Sequence, residues 1–146
     1  MKPEQTVDFQ IRKTWILISK MYNELVAHGG ITTSIGMALL NIDVKTGIRS
    51  TALGPKMGME STSLSRVLRS MEQQGLILKE ADPTDKRSVV IKLTQVGIEK
   101  RNIAREVVLN FNDAVNKKIG VDRALDFQYT MNAITEVIKE VKGINS

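Results

Sequence analysis

One stretch constrains the fold more than any other, because it contains two short helical patterns separated by a glycine. It covers residues 47–77 and reads GIRSTALGPKMGMESTSLSRVLRSMEQQGLI. Thr51 is the expected N-cap of a first helix that ends near Met57, where Gly58 interrupts the pattern. A second helix is expected over residues 61–74. Two short helices joined by a tight glycine-containing turn predict a helix-turn-helix.

The second of these helices has an apolar stripe and an opposite polar face. The stripe has the spacing i, i+3, i+4, i+7 and consists of Leu64, Val67, Leu68 and Met71. The polar face has two arginines and no acid, and consists of Thr62, Ser65, Arg66, Arg69, Ser70 and Gln73. The second helix of a helix-turn-helix lies in the DNA major groove, so this face is a candidate DNA-contacting surface.

A charged hairpin is expected directly after Gly75, which ends that helix. Its strands are predicted over residues 76–81 and 88–93, the second with apolar residues in alternation. The loop between them consists of Asp82, Pro83, Thr84, Asp85, Lys86 and Arg87. Asp and Pro are turn residues, since Asp accepts local backbone hydrogen bonds and Pro presets φ. The charged tip is either a solvated turn or a part that reaches a partner outside the protein.

The segment before this central part predicts two further helices. The first covers residues 7–26, with one apolar face formed by Val7, Ile11, Trp15, Ile18, Tyr22 and Leu25. His28, Gly29 and Gly30 end it. Thr32 or Thr33 is then expected to cap a shorter helix that continues to about residue 41.

The segment after the hairpin predicts two long helices. Thr94 is the expected cap of the first, whose apolar stripe is Ala104, Val108, Phe111 and Val115. Gly120 breaks the chain, and Asp122 is the expected cap of the last helix. The stripe of that helix is Phe127, Met131, Ile134, Ile138 and Val141.

The composition is that of an ordinary globular protein, with 146 residues, 42% of them hydrophobic and 25% charged. No apolar run approaches the roughly 18–20 residues that a membrane span needs. The first ten residues lack the apolar region of a signal peptide, so we expect a cytoplasmic protein without a membrane partner. The chain has no cysteine, which excludes disulfides, thiol redox switches and cysteine-liganded metal sites.

The positive charge of the chain is concentrated in its middle third. The formal net charge is +5, and residues 45–93 hold nine basic side chains against five acidic ones, which leaves +4 in that segment. A clustered positive field is expected of a protein that binds a polyanion. Charge alone is a weak indication, because many surfaces of this charge bind nothing.

These residues resemble the MarR family of bacterial winged-helix transcriptional regulators. The resemblance covers most of the chain and is densest over residues 49–97. Its most specific part is DPTDKRSVVIKLTQVG, in which a tip of Asp85, Lys86 and Arg87 precedes a strand and the motif Leu-Thr-x-x-Gly of residues 93–97. The helix-turn-helix also matches, and its family positions are Gly58 in the turn, Arg66 in the recognition helix, and Gly75 and Leu76 at its end.

Two residues depart from the family pattern. Glu60 stands where a better N-cap such as Asp or Ser is common, so we expect the recognition helix to start raggedly or at Ser61. Pro55 lies inside the first helix of the motif. If Thr51 capped that helix, the ring of Pro55 would clash with the Thr51 carbonyl, so the helix is expected to start late or to be distorted.

The resemblance implies a mainly α fold with a small β-hairpin, called the wing, and a single domain over residues 1–146. Residues 31–97 or thereabouts would form the winged-helix DNA-binding lobe. Residues 5–28 and 98–144 would form dimerisation helices of a homodimer. The apolar stripes of the two terminal segments exceed what a winged-helix core of roughly 60–70 residues needs to cover, and two helix-turn-helix units one DNA turn apart read a palindrome.

The candidate DNA-contacting residues lie in three groups. They are Thr51 and Lys56 in the first helix, Ser61, Thr62, Ser63, Ser65, Arg66 and Arg69 in the recognition helix, and Lys86 and Arg87 in the hairpin. Arginine bonds either a guanine edge or a phosphate, and the hydroxyls suit phosphates or base edges. Arg49 is a weaker phosphate candidate. The resemblance implies that Arg87 enters the minor groove and that Asp85 orients a nearby Arg or the turn backbone.

Other functions find less support in the sequence. His28 is the single histidine and is more simply a partner of a helix C-terminus than a metal ligand, and no catalytic set, phosphate loop or cofactor motif is present. A small aromatic or amphipathic effector remains open, and Trp15, Met21, Tyr22, Met37 and Met71 are equally explained as core or dimer contacts. The alternative function is a winged-helix protein-interaction module, which would require apolar anchors on the recognition helix.

Overall fold

The computed structural model describes residues 1–143, and these form a mainly helical fold with one small sheet. The helices are α1 (Val7–Val26), α2 (Thr33–Asn41), α3 (Ser50–Met57), α4 (Ser61–Gln73), α5 (Gln95–Ile119) and α6 (Val121–Val141). The strands are β1 (Ile48–Arg49), β2 (Ile77–Ala81) and β3 (Val89–Leu93), and two short 3-10 turns cover Pro3–Gln5 and Ala27–Gly29. The predicted fold class is confirmed. None of the helices within residues 1–143 has the length and hydropathy of a membrane-spanning helix.

The sheet has three antiparallel strands in the order β1-β3-β2, one more than the sequence predicts. The hairpin pairs Ile77 with Leu93 and Ala81 with Val89, and each of its strands begins one residue later than predicted. The added strand β1 pairs Ile48 with Ile91. It was missed because two residues are too few to show an alternating pattern.

The start of α3 differs from the prediction. Arg49 has an extended backbone and occupies the N-cap position, so the prediction that Thr51 caps this helix is wrong. Pro55 lies inside a helix that begins early rather than late. Pro55 cannot donate a helix hydrogen bond, and the helix ends soon afterwards at Gly58, whose φ is 61°. The turn is closed by a hydrogen bond from the Met59 N–H to the Gly54 carbonyl, 3.0 Å.

Of three other helix starts, two were predicted correctly and one was not. Thr32 caps α2 by accepting a hydrogen bond from the Ile35 N–H, 3.3 Å. The recognition helix α4 begins at Ser61, and Glu60 stands at its N-cap position without a side-chain capping bond. Helix α6 has Gly120 at its N-cap position, so the prediction that Asp122 caps it is wrong. That carboxylate lies in the first turn, where the helix dipole favours negative charge.

The core of the first compact unit, Met1–Val107, lies beneath α4 and the sheet. Its largest fully buried side chains are Leu39, Ile42, Leu53, Met71, Leu76 and Ile91. The predicted stripe of α4 is directed into this core, with Leu64, Leu68 and Met71 buried and Val67 half-buried. The opposite face of α4 therefore points to solvent.

The Leu-Thr-x-x-Gly motif attaches the start of α5 to the end of α4. The Thr94 N–H donates to the Leu76 carbonyl at 3.0 Å, and the Thr94 hydroxyl donates to the Gly75 carbonyl at 2.6 Å. The same hydroxyl oxygen accepts the Gly97 N–H at 3.0 Å, which confirms Thr94 as the cap. A Cβ atom at Gly97 would overlap the Leu76 carbonyl, so this position requires glycine.

The second compact unit, Val108–Ser146, holds the end of α5 and the whole of α6. The predicted stripe of α6 is present but uncovered: Phe127, Ile138 and Val141 are exposed, and Met131 and Ile134 are half-buried. The end of the predicted dimerisation segment, residue 144, lies outside the described residues. The single-domain assignment for residues 1–146 stays a prediction.

Candidate nucleic-acid interface

The outward face of α4 presents hydrogen-bond donors and positive charge. The exposed residues of α4 include Ser61, Thr62, Ser63, Ser65, Arg66, Arg69 and Gln73, and Ser70 is half-buried. The first backbone N–H groups of any α-helix have no partner within it, and no side chain caps those of α4. The free N–H groups and three neighbouring hydroxyls therefore form a donor-rich end that suits an anion.

The two arginines of this face are not neutralised. Within residues 1–143, neither Arg66 nor Arg69 has a carboxylate within 4.0 Å. The single acidic side chain of α4, Glu72, lies beside Lys79 of β2, with 3.9 Å between the amine and the carboxylate. Arg66 and Arg69 thus keep their full charge for a partner outside the chain.

The wing loop, residues 82–88, presents two more cations. Lys86 and Arg87 are exposed, and neither forms an ion pair in the part of the chain that the structure describes. Asp85 Oδ1 accepts a hydrogen bond from the Arg87 N–H at 2.9 Å, and its carbonyl accepts the Ser88 N–H at 3.3 Å. Asp85 therefore contacts the turn backbone rather than the guanidinium of Arg87.

Asp82 does more than shape the turn, because its buried carboxylate also forms an ion pair. Its side chain is only 2% exposed, and its Oδ2 lies 2.9 Å from the Nε of Arg49. Oδ1 accepts the Thr84 N–H at 2.9 Å and the Thr84 hydroxyl at 2.8 Å, and Oδ2 accepts the Ser88 hydroxyl at 2.9 Å. The guanidinium of Arg49 also donates to the Thr84 hydroxyl at 2.7 Å.

This set of contacts stabilises the charged form of Asp82. The hydrogen bonds from the Thr84 backbone and hydroxyl, then that from Ser88 and the charge of Arg49, outweigh the effect of burial and lower the pKa of Asp82 to about 2. No sequence pattern indicated this ion pair, because Arg49 and Asp82 are brought together by β1, the strand that was not predicted. Asp82 follows a strand and Arg49 precedes a helix, and no short sequence motif links the two positions.

A groove of about 390 Å³ separates α4 from the hairpin and the start of α3. It is lined by Ser50, Ser65, Leu68, Arg69, Glu72, Lys79 and Val89. Arg69 and Lys79 thus border the same concave surface, which continues the basic face of α4 toward the hairpin. Lys79 was not among the predicted contact residues, since a lysine on a strand is usually only solvated.

The remaining candidates lie in separate places. Thr51 is exposed in the first turn of α3, and Lys56 is exposed in its last turn. His28 is exposed in the 3-10 turn after α1, and the described residues contain no group of three His, Asp or Glu side chains that could hold a metal. Of the suggested effector residues, Met71 is fully buried in the core and Trp15 is 47% exposed on α1. The other three, Met21, Tyr22 and Met37, are half-buried.

A second groove, of about 300 Å³, lies along α1. It is lined by Phe9, Arg12, Lys13, Ile16 and Leu17. None of the suggested effector residues borders it. Its apolar residues, Phe9, Ile16 and Leu17, are exposed and lie outside the apolar stripe that the sequence predicts for α1.

Comparisons with known proteins agree with this architecture. A family model described as the MarR family matches residues 21–89. The organic hydroperoxide resistance transcriptional regulator of Bacillus subtilis (strain 168) is 32% identical over 97 residues, which are 66% of this chain and 66% of that protein. The matched part of this chain thus spans slightly less than two thirds of the length of that relative.

Two solved structures share the fold at low sequence identity. The PcaV transcriptional regulator from Streptomyces coelicolor, in complex with its natural ligand, has a TM-score of 0.81 and 16% identity and covers 93% of this chain and 96% of its own. The S. aureus MepR-DNA complex has a TM-score of 0.79 and 14% identity and covers 94% of this chain and 99% of its own. These two structures show the shared fold, and the family model and the Bacillus relative identify the chain as a member of the MarR family of transcriptional regulators.

Proposed function

We propose that this protein is a sequence-specific regulator that binds double-stranded DNA, a ligand-responsive repressor that acts as a homodimer on a palindromic operator. The observation that carries the proposal is the surface formed by α4 and the wing. It presents Arg66, Arg69, Lys86 and Arg87 without an ion pair among the described residues. Four unpaired cations beside exposed hydroxyls form the kind of surface that recognises phosphates and base edges.

Recognition would divide between two grooves of the DNA. Helix α4 enters the major groove, where Arg66 or Arg69 bonds a guanine edge bidentately or holds a phosphate. Arg87 enters the minor groove, whose narrow A·T-rich segments attract arginine. Thr51, Lys56 and the hydroxyls of Ser61, Thr62, Ser63 and Ser65 would contact the backbone or base edges. Each neutralised phosphate releases counterions, so affinity should fall steeply with salt.

The homodimer is supported by the apolar surfaces of α1 and α6. Val7, Ile16 and Leu17 of α1 are more than half exposed, as are Phe127 and Ile138 of α6. A monomer rarely leaves so much large apolar surface in water, and a second copy is the partner that covers both helices. Dimerisation also places two copies of α4 on the two halves of a palindrome.

The effector is proposed to be a small aromatic or amphipathic molecule. The fold relative PcaV is solved with its natural ligand, and the Bacillus relative is named for organic hydroperoxide resistance. A response through a thiol is not available here, because the chain has no cysteine. The protein is expected to need no metal or other cofactor and to act in the cytoplasm, where its DNA lies.

The protein-interaction alternative lacks the surface that it requires. Hot spots of protein interfaces are aromatic or aliphatic anchors and arginines in desolvated pockets. The outward face of α4 presents Ser, Thr, Arg and Gln instead.

The test is a binding measurement on a DNA duplex selected by the wild-type protein from a random library. Arg66→Ala and Arg87→Ala should each weaken binding by about 1–3 kcal/mol, roughly fivefold to somewhat over a hundredfold. Arg105→Ala is the matched control, because it removes the same charge from an exposed position of α5 outside α4 and the wing. Unchanged affinity in both test variants, or a selection that enriches no sequence, would refute the proposal.

A further inference from the structure

The base of the wing is closed by one buried carboxylate that joins three segments of the chain. Asp82 directly follows β2, Thr84 lies in the middle of the wing loop, and Ser88 directly precedes β3. All three are joined by the hydrogen bonds of the Asp82 carboxylate, and the Asp82 N–H also donates to the Ser88 carbonyl at 3.4 Å. The loop thus has its own internal anchor.

Arg49 ties this anchor to the helix-turn-helix. It pairs with Val90 in the sheet and occupies the N-cap position of α3, the first helix of that motif. Its Nε meets Asp82 and its Nη2 meets Thr84, so one planar guanidinium holds the strand end and the loop at the same time. The Arg49 side chain therefore connects the wing base to the start of α3, in addition to the backbone pairing of β1 with β3.

The strands of the hairpin are held by the sheet and by the core, where Ile77 and Ile91 are buried, so the part of the wing that is able to move is its loop. The tip residues themselves have little to hold them, since Lys86 and Arg87 have no side-chain partner among the described residues and Asp85 contacts only backbone. The direction in which Arg87 points is then set by the base of the loop. Asp82 itself is 2% exposed, so it can reach no DNA.

We infer that Asp82 and Arg49 are positioning residues that hold the wing at a fixed angle to the helix-turn-helix, and that they raise DNA affinity by acting through Arg87. The affinity part of this inference rests on the proposed function, whereas the part about wing geometry does not. It assigns Arg49 an intramolecular role in place of the phosphate contact that the sequence suggested. It also gives the first Asp of DPTDKR a role distinct from that of Asp85.

The wing geometry is tested first in the free protein, by hydrogen exchange of the backbone amides. Asp82→Asn should increase the exchange of residues 84–89 and leave that of α2 unchanged. Asp43→Asn is the matched control, because Asp43 also accepts turn hydrogen bonds, from Lys45 and Thr46, but does not touch the wing. Equal exchange in the wing of wild type and Asp82→Asn would overturn the inference, whether or not the protein binds DNA.

The action through Arg87 is tested by a double-mutant cycle on the selected duplex. Asp82→Asn should weaken binding by about tenfold when Arg87 is present and by less than about twofold in the Arg87→Ala background. The same loss in both backgrounds would show that Asp82 does not act through Arg87 and would overturn that part. If wild type itself selects no DNA, the proposed function fails, and the exchange experiment still decides the positioning role.

Two milder variants keep the inference testable if Asp82→Asn does not fold. Ser88→Ala removes one hydrogen bond from the carboxylate, and Arg49→Lys keeps the charge but replaces the rigid planar fork that spans Asp82 and Thr84 with a single ammonium group. Both should increase wing exchange, Arg49→Lys more than Ser88→Ala, with DNA affinity reduced in the same order. A wing that stays protected in both variants contradicts the inference.

Discussion

Helices α4 and α6 have similar sequence patterns and different surroundings. Both carry an apolar stripe with steps of three and four residues. In α4, Leu68 is 6% exposed and Met71 is fully buried. In α6, Phe127 is 61% exposed and Val141 is 81% exposed.

The difference shows what helical periodicity establishes and what it leaves open. A stripe indicates that one face of a helix avoids water. It does not indicate whether the same chain or another molecule covers that face. In α4 the covering groups belong to the same compact unit, and in α6 the proposed covering group is a second copy.

The largest effect expected from this difference concerns the stability of the unit that holds α4. Met71→Ala should lower the free energy of unfolding by about 2–5 kcal/mol, because it removes a fully buried side chain and leaves a cavity. Urea unfolding at a fixed protein concentration measures the loss. Gln73→Ala is the control on the exposed face of the same helix and should change stability by less than about 0.5 kcal/mol. Similar losses in both variants would erase the contrast between the two faces.

The next effect concerns the association of two copies through α6. Phe127→Glu should raise the dimer dissociation constant by roughly tenfold to a hundredfold, as expected from losing about 1.5–3 kcal/mol of buried side chain. Sedimentation velocity over a range of concentrations measures it. Asn132→Glu adds the same charge at an exposed position away from the stripe and should have little effect. An unchanged dimer in Phe127→Glu would mean that the stripe is not an interface.

A smaller effect concerns the first turns of the two helices, neither of which has a side-chain cap. Glu60→Ser should stabilise α4 by about 0.5–1 kcal/mol, because a serine hydroxyl can accept a free N–H of the first turn. Gly120→Ser should not stabilise α6, since φ is 88° at that residue and a side chain there is strained. Thermal unfolding of the two variants measures both. A gain at both positions would mean that backbone geometry does not distinguish them.

The last effect appears only in acid and belongs to the unit that holds α4. The pKa of Asp82 is lowered to about 2 in the folded protein, so its ionised form stabilises the fold above the ordinary carboxyl pKa near 4. That contribution is lost as pH falls toward 2. The difference in unfolding free energy between wild type and Asp82→Asn should therefore shrink from pH 5 to pH 2.5. A difference that stays constant over this range would contradict the cause assigned to the lowered pKa.

Local signals predicted much of the fold and of the candidate site. Gly58 and Gly75 both adopt positive φ at helix ends, and Thr94 caps α5, as the sequence indicated. Thr51 was placed wrongly as a cap, because Ser50 and Thr51 are neighbouring hydroxyl residues and only the backbone of Arg49 decides where the helix begins. An error of one residue in a cap leaves the face of the helix unchanged.

The ion pair of Arg49 and Asp82 belongs to the part that could not be predicted. The two residues are far apart in the chain, and β1 brings them together through two residues of pairing with β3. From the sequence, Arg49 was interpreted as a weak candidate for a phosphate contact and Asp82 as a turn residue. Both interpretations used only neighbouring residues, whereas the ion pair joins residues that are far apart in the chain.

The sequence by itself determined the helices, the turn glycines, the charged wing and the acid-free face of α4, because these depend on periodicity, turn chemistry and residue type within short segments. Only the tertiary structure decided which apolar stripe is buried within the chain and which carboxylate anchors the wing. Burial and ion pairing depend on which segments meet in space, and that depends on the packing of the whole unit. Residues 47–77 therefore predict the polar, basic face of α4 from sequence alone. The core contacts beneath α4 and the Asp82 contacts that hold the wing are seen only in the structure.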